Sequence, residues 1–119
     1  MLALLLVLGL TALVGYTVHL EREATRYPGA VEISQHANYK GLPTHYRWDN
    51  SYRTAESFVS VYNWYSTTFN LGAESRAAGT CILLEGTTEY PLVERYMSVF
   101  ICQTRQGQMI FVSRSTSMR

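Results

Sequence analysis

The chain has 119 residues, of which 47% are hydrophobic and 13% aromatic, and a formal net charge of +1. That near-neutral balance excludes nucleic acid as a partner, because binding a phosphate backbone takes a concentrated basic face. About a hundred residues beyond the amino-terminal segment suffice for a single hydrophobic core and no second one.

Residues 1 to 20, MLALLLVLGLTALVGYTVHL, carry no acidic or basic side chain before Glu21. This is about the length that a helix needs to cross the hydrocarbon core of a bilayer. A cleaved secretory signal would show a basic start, a shorter apolar core and small residues at a cleavage site. Here the apolar run continues into Tyr16-Thr17-Val18 and no A-x-A-like site precedes Glu21, so the segment reads as a retained transmembrane anchor. Its first partner is then the lipid bilayer. Gly9, Thr11, Ala12 and Gly15 are small enough to let a second transmembrane helix approach, although such residues also occur in spans that pack on nothing. Tyr16 and His19 fall at the carboxyl end, the level that amphipathic rings prefer, and His19 reads as an interfacial side chain rather than a ligand.

Residues 21 to 30, EREATRYPGA, read as a polar connection ending in a Pro-Gly turn. Val31–His36 alternates as a short strand and His45–Asp49 is a second candidate. From Thr54 the period changes: Phe58, Val61, Tyr62, Tyr65 and Phe69 recur at helical spacing on one face, with Ser57, Ser60, Asn63 and Thr67 opposite. Thr54 is placed to cap this helix and Gly72 to end it. Thr80–Glu85, Tyr96–Thr104 and Gln108–Arg114 are dense in strand-forming residues, with Gly86–Pro91 as a connection and Gln106-Gly107 at a tight hairpin. The expected fold is α+β: a transmembrane helix, then a ββαβββ domain over residues 31 to 114 whose antiparallel sheet packs on one helix. Residues 115 to 119 form a polar, frayed tail.

Two rules disagree about the side of the membrane. Arg22 and Arg26 follow the span closely, which favours a cytoplasmic domain. Cys81 and Cys102 lie in strand-like segments, and such a pair in a small domain suits an oxidising compartment. Bonded, they stabilise the fold by about 3 kcal/mol on the chain-entropy argument; reduced, each is a small core residue. The exoplasmic, periplasmic side is preferred, with the disulfide contingent on it.

The Tyr27-Pro28-Gly29-Ala30 turn entering a strand, the extended YRWDNSYRT segment, the helix carrying Phe58 and Val61-Tyr62, and the terminal three-strand meander together resemble small membrane-anchored proteins of filamentous phototrophic bacteria. The resemblance covers roughly residues 27 to 113. It departs at Val61-Tyr62, where Phe-Tyr is common, and at Asn70-Leu71-Gly72, where a Gly-Trp often follows. It implies an extracytoplasmic domain on an amino-terminal anchor, without an assigned reaction. Such one-span proteins are also similar to accessory subunits of alternative complex III, a quinol-oxidising electron-transfer complex of these bacteria.

Chemistry leaves few marks. His19, His36 and His45 are far apart, neither cysteine belongs to a C-x-x-C motif, and no glycine-rich phosphate loop or G-x-S-x-G turn is present. No cofactor or metal site and no enzyme are expected. Glu85, Glu89 and Glu94 read as solvated charges around a loop. The candidate interface consists of Tyr46, Arg47, Trp48 and Trp64, types that anchor protein contacts when exposed, with intramolecular packing as the competing reading. The preferred function is a non-catalytic accessory subunit that stabilises or helps assemble a larger membrane complex, its partners being larger integral membrane subunits. The alternative is an independent membrane-anchored ligand-binding module with a pocket between helix and sheet.

Overall fold

The apolar amino-terminal run forms one helix, α1 (Leu2–Ala24), in a computed structural model that describes residues 1–41, 44–72 and 76–118. At 23 residues it is long and apolar enough to cross a membrane, and no residue along it is buried. It continues through Glu21, Arg22 and Glu23, so the first part of the expected polar connection is helical. Glu21 and Arg22 find partners on the sheet and Glu23 pairs with Arg26 just past the helix, which extends the helix beyond its apolar run. Thr25 caps its end through a backbone bond to the Arg22 carbonyl. Tyr27-Pro28-Gly29-Ala30 then forms the expected turn, with Ala30 N–H donating to Tyr27 O at 2.9 Å and Gly29 at φ 81°. Proline before a left-handed glycine is what this turn geometry selects.

Two strands, β1 (Val31–Asn38) and β2 (His45–Thr54), form an antiparallel hairpin. The helix α2 (Phe58–Thr68) follows, and then β3 (Arg76–Ala78), β4 (Cys81–Glu89), β5 (Val93–Thr104) and β6 (Gly107–Met118). All strand pairings are antiparallel and the sheet order is β1-β2-β6-β5-β4-β3. The α+β architecture with one packed helix is therefore as expected, with β3 an additional three-residue edge strand. β6 lies inside the sheet and joins the first hairpin to the later meander.

Several boundaries differ for physical reasons. Thr54 ends β2, and Ser57 caps α2 instead, its Oγ accepting from Ser60 N–H at 3.2 Å. Asn70, at φ 53°, takes the left-handed position assigned to Gly72, while Gly72 N–H donates to Glu85 O. β4 runs to Glu89, leaving only Tyr90–Leu92 as the connection to β5. Residues 115 to 117 pair with both neighbouring strands and Met118 with Val93, so the expected tail is sheet; Arg119 lies outside the described residues. Gly107, at φ 118°, follows the β5–β6 turn, where an added Cβ would stand 2.2 Å from Thr54 O.

One face of the sheet carries α2 and the core. Trp48 and Tyr52 of β2, Leu84 of β4, Met97, Val99 and Ile101 of β5, and Ile110 and Val112 of β6 are buried there against Val61 and Tyr65. Fully burying an aliphatic or aromatic side chain is worth about 1.5–3 kcal/mol, so the alternating pattern along these strands decides which face is covered.

Candidate functional site

The carboxyl end of α1 is built into the helix-bearing face. Arg22 donates from Nε and from one terminal nitrogen to Asn50 Oδ1, at 3.0 and 2.6 Å. Its guanidinium lies 5.3 Å from the centre of the Trp48 ring. Asn50 Nδ2 donates to Tyr52 Oη at 2.8 Å and to Glu32 Oε1 at 3.3 Å. Tyr52 Oη donates in turn to the Arg22 carbonyl at 3.2 Å, and Thr25 Oγ1 donates to the same carbonyl at 2.7 Å. Tyr65, from α2, donates to Thr25 O at 2.7 Å. The Arg22 carbonyl near the end of α1 and the Thr25 carbonyl just past it are thereby satisfied with help from Tyr52 of β2 and Tyr65 of α2, in a place where leaving them unpaired would cost about 1–3 kcal/mol each.

Burial, with the neighbouring Tyr52 second, raises the Tyr65 pKa well above its ordinary value, so its hydroxyl remains a donor throughout the physiological range. On the other side of α1, Glu21 pairs with Arg95, and Arg114 Nε lies 3.3 Å from Glu21 Oε1. All three side chains are largely covered. Desolvation and the adjacent Arg95 lower the Arg114 pKa, and Glu21 opposes that shift. Sheet, α2 and α1 thus share one polar socket in which the axis of α1 is held at two points.

The opposite face carries no helix. Leu83, Phe100, Phe111 and Ser51 stand side by side across β4, β5, β6 and β2. Phe111 is 42% exposed. Beside this row Cys81 and Cys102 face each other across β4 and β5 and are bonded, with Cα atoms 4.0 Å apart. The next outward-facing row is polar, with Ser98, Ser113 and Asp49 aligned, while Met109 beside Cys102 and Tyr96 beside Ser115 lie on the same face. Phe100, Phe111, Arg47 and Asp49 border a shallow hollow of about 390 Å³. A row of aromatic and aliphatic side chains rimmed by serines and an Arg-Asp pair can dock another protein surface.

The four residues expected to form an interface do not come together. Strand alternation sends Arg47 to the open face, where it pairs with Asp49 at 3.1 Å, and Tyr46 and Trp48 to the other. Trp48 is fully buried beneath Arg22. Tyr46 is half-buried, 6.0 Å from Tyr39. Trp64 is also half-buried, held edge-on by Tyr27, Tyr65 and Phe69, because the turn after α1 folds Tyr27 over it. Packing within the chain therefore encloses Trp48, while Trp64 keeps part of its ring accessible. Glu85, read as a solvated charge, accepts from the Tyr96 hydroxyl.

Among the small residues of α1, a Cβ added at Gly9 or Gly15 would meet nothing within 4 Å. Thr11 donates back to Val7 O within the helix. Gly15 lies beside His19 and Arg22 on a polar cleft of about 150 Å³ between α1 and β1. Among the described residues no three His, Cys, Asp or Glu side chains cluster as a metal site. Sequence reasoning names Arg22 for its charge and Tyr65 for its helical spacing but does not join them with Thr25, Asn50 and Tyr52 in one socket; the available signal is the isolated Asn50 at an inward position of an alternating strand. Comparisons of this chain with known protein families, with curated proteins and with solved structures find no match.

Proposed function

We propose that this protein is a non-catalytic, single-span accessory subunit of a larger membrane protein complex, with its domain on the extracytoplasmic side. The observation that carries the reading is the one-sided sheet. One face carries the side chains that hold the end of α1, and the other presents the Leu83-Phe100-Phe111 row outward. Two attachment surfaces on one chain act together: small residues Gly9 and Ala12 toward neighbouring helices, and the open face toward an exposed domain.

The disulfide between Cys81 and Cys102 favours an oxidising compartment. The opposing positive-inside signal, Arg22 and Arg26, has a structural use, since Arg22 serves the socket and Arg26 pairs with Glu23 at 3.1 Å. The resemblance to accessory subunits of alternative complex III makes a bacterial quinol-oxidising complex the first candidate host. The competing ligand-binding reading needs a pocket between helix and sheet. That space is largely occupied by Tyr52, Tyr65 and Val61, which supports the accessory role over it.

The test is extraction of the native membrane in mild detergent, size separation and identification of chains that travel with this one. A stoichiometric set of larger subunits is the expected result, lost in Phe111→Ser; migration of the wild-type chain alone would sink the proposal.

A further inference from the structure

The edge of the sheet from which α1 departs has a distinct composition. It comprises the Tyr90-Pro91-Leu92 connection, the end of β6 at Met118, and the chain approaching and entering β2. Val93 pairs with Met118, and Met118 N–H donates to Thr44 O at 2.7 Å, so these segments form one continuous rim. Along it Leu92 is 72% exposed and Met118 54%, with Tyr39 and Tyr90 also exposed. Tyr39 and Tyr46 lie against Val14 and Val18 of α1, lining an apolar crevice of about 90 Å³. The rim therefore reaches well up the apolar part of the helix.

Helix geometry gives this contact a consequence. At 1.5 Å per residue, Leu2–Leu20 rises about 28 Å, close to the ~30 Å thickness of the hydrocarbon core. The part clear of the rim, Leu2–Leu13, rises only about 18 Å. Placing the whole apolar run across the core carries Val14–Leu20, and the rim beside it, about 10 Å below the membrane surface.

We infer that the α1-side rim of the sheet, through Tyr39, Tyr46, Tyr90, Leu92 and Met118, is seated in the lipid interface of the bilayer that α1 crosses. This rests on the reading of α1 as a span. Backbone groups on the rim are suited to the site, because polar groups in lipid must find partners within the chain. Tyr90 N–H donates to Val93 O at 2.7 Å, His45 N–H to Gly41 O at 2.9 Å and Lys40 N–H to Asn38 Oδ1 at 3.1 Å. Pro91 has no N–H to satisfy. Tyrosine is also a residue that membrane interfaces favour. Lys40, exposed beside Tyr39, is long enough to reach back to the headgroups, and the other charged groups come next: Glu89 and Glu94 face each other one step behind the turn, and Glu21 pairs with Arg95 on the helix side. They fall at headgroup height while the apolar tips point deeper.

The full chain, carrying a benzophenone side chain at Tyr39, Leu92 or Met118, is inserted into phosphatidylcholine vesicles and irradiated, and adducts are identified by mass. Leu8 in the span and Val59, exposed on α2, serve as reference positions. The rim positions are expected to give acyl-chain adducts on the order of ten-fold above Val59, near the yield at Leu8. Labelling at Leu8 with silence at all rim positions overturns the inference and leaves the span intact; silence at Leu8 as well removes both. Adducts from Leu92 to a protein subunit in native membranes, replacing those to lipid, would also overturn it. The three labelled positions are exposed, and cooperative thermal unfolding of each labelled chain, matching that of the unlabelled one, reports that it is folded.

Discussion

The helix-bearing face of the sheet buries Trp48, Asn50 and Tyr52 and directs its polar groups at the end of α1, whereas the opposite face leaves Phe111 in solvent and has its covalent bond beside it. Both faces come from the same strands, alternating residue by residue. The difference teaches that a small single-layer sheet can separate two tasks with no extra element. Inward residues set where the helix points, and outward residues remain free to meet something else. Mutations on the two faces should consequently separate stability from association.

The largest expected effect breaks the inward face. Trp48→Ala removes a fully buried ring that also supports Arg22, and should cost about 3–5 kcal/mol in denaturant unfolding of the detergent-solubilised chain. Next comes the ion cluster. Glu21→Gln leaves Arg95 and Arg114 adjacent without their carboxylate, and a loss of about 2 kcal/mol is expected after allowing for residual solvent screening. The same measurement checks it.

A smaller effect, sharpened by pH, concerns Tyr65. Its folded pKa is raised, so its contribution is complete below the unfolded value near 10 and is lost as pH climbs above it, when only the unfolded chain gives up the proton. Tyr65→Phe should cost about 1 kcal/mol at neutral pH and flatten the alkaline decline of stability by up to about 1.4 kcal/mol per pH unit. Unfolding curves of the two proteins from pH 8 to 11 give the difference directly. The smallest stability effect belongs to the outward face: Phe111→Ser should change it by no more than about 0.5 kcal/mol, while abolishing co-purification with larger subunits. A comparable loss of stability there would erase the distinction between the faces.

How far the molecule was legible follows from the range of the interactions involved. The α2 stripe of Val61 and Tyr65 and the runs of β5 and β6 are periodic, and period reports burial directly. Trp48 was misplaced because its neighbour Arg47 suggested a shared surface, although adjacent strand residues face opposite ways. The extension of α1 past its apolar run depends on Glu21 meeting Arg95 from far along the chain, and no local pattern encodes that encounter. Gly86 reads in the sequence as the start of a connection, yet β4 runs through it, and its missing side chain makes room for Leu71, which an added Cβ would approach to 3.2 Å. The Cys81–Cys102 pairing was left open between bonded and reduced, and the register that places the two residues opposite one another decides it.

The strand that follows all others in the chain, β6, lies between β2 and β5. Until it arrives, β2 has one unpaired edge and the meander has another, and neither half can supply the missing ladder alone. During synthesis the amino-terminal helix emerges early, yet the sheet in which its socket is completed must wait for a segment more than fifty residues beyond β2. Closing so long a connection is slow, and with α1 read as a span the order of events leaves the nascent chain tethered before it is folded. A ribosome stalled short of residue 107 would hold an attached but incomplete sheet with two adhesive edges, the state in which a chaperone would be most needed.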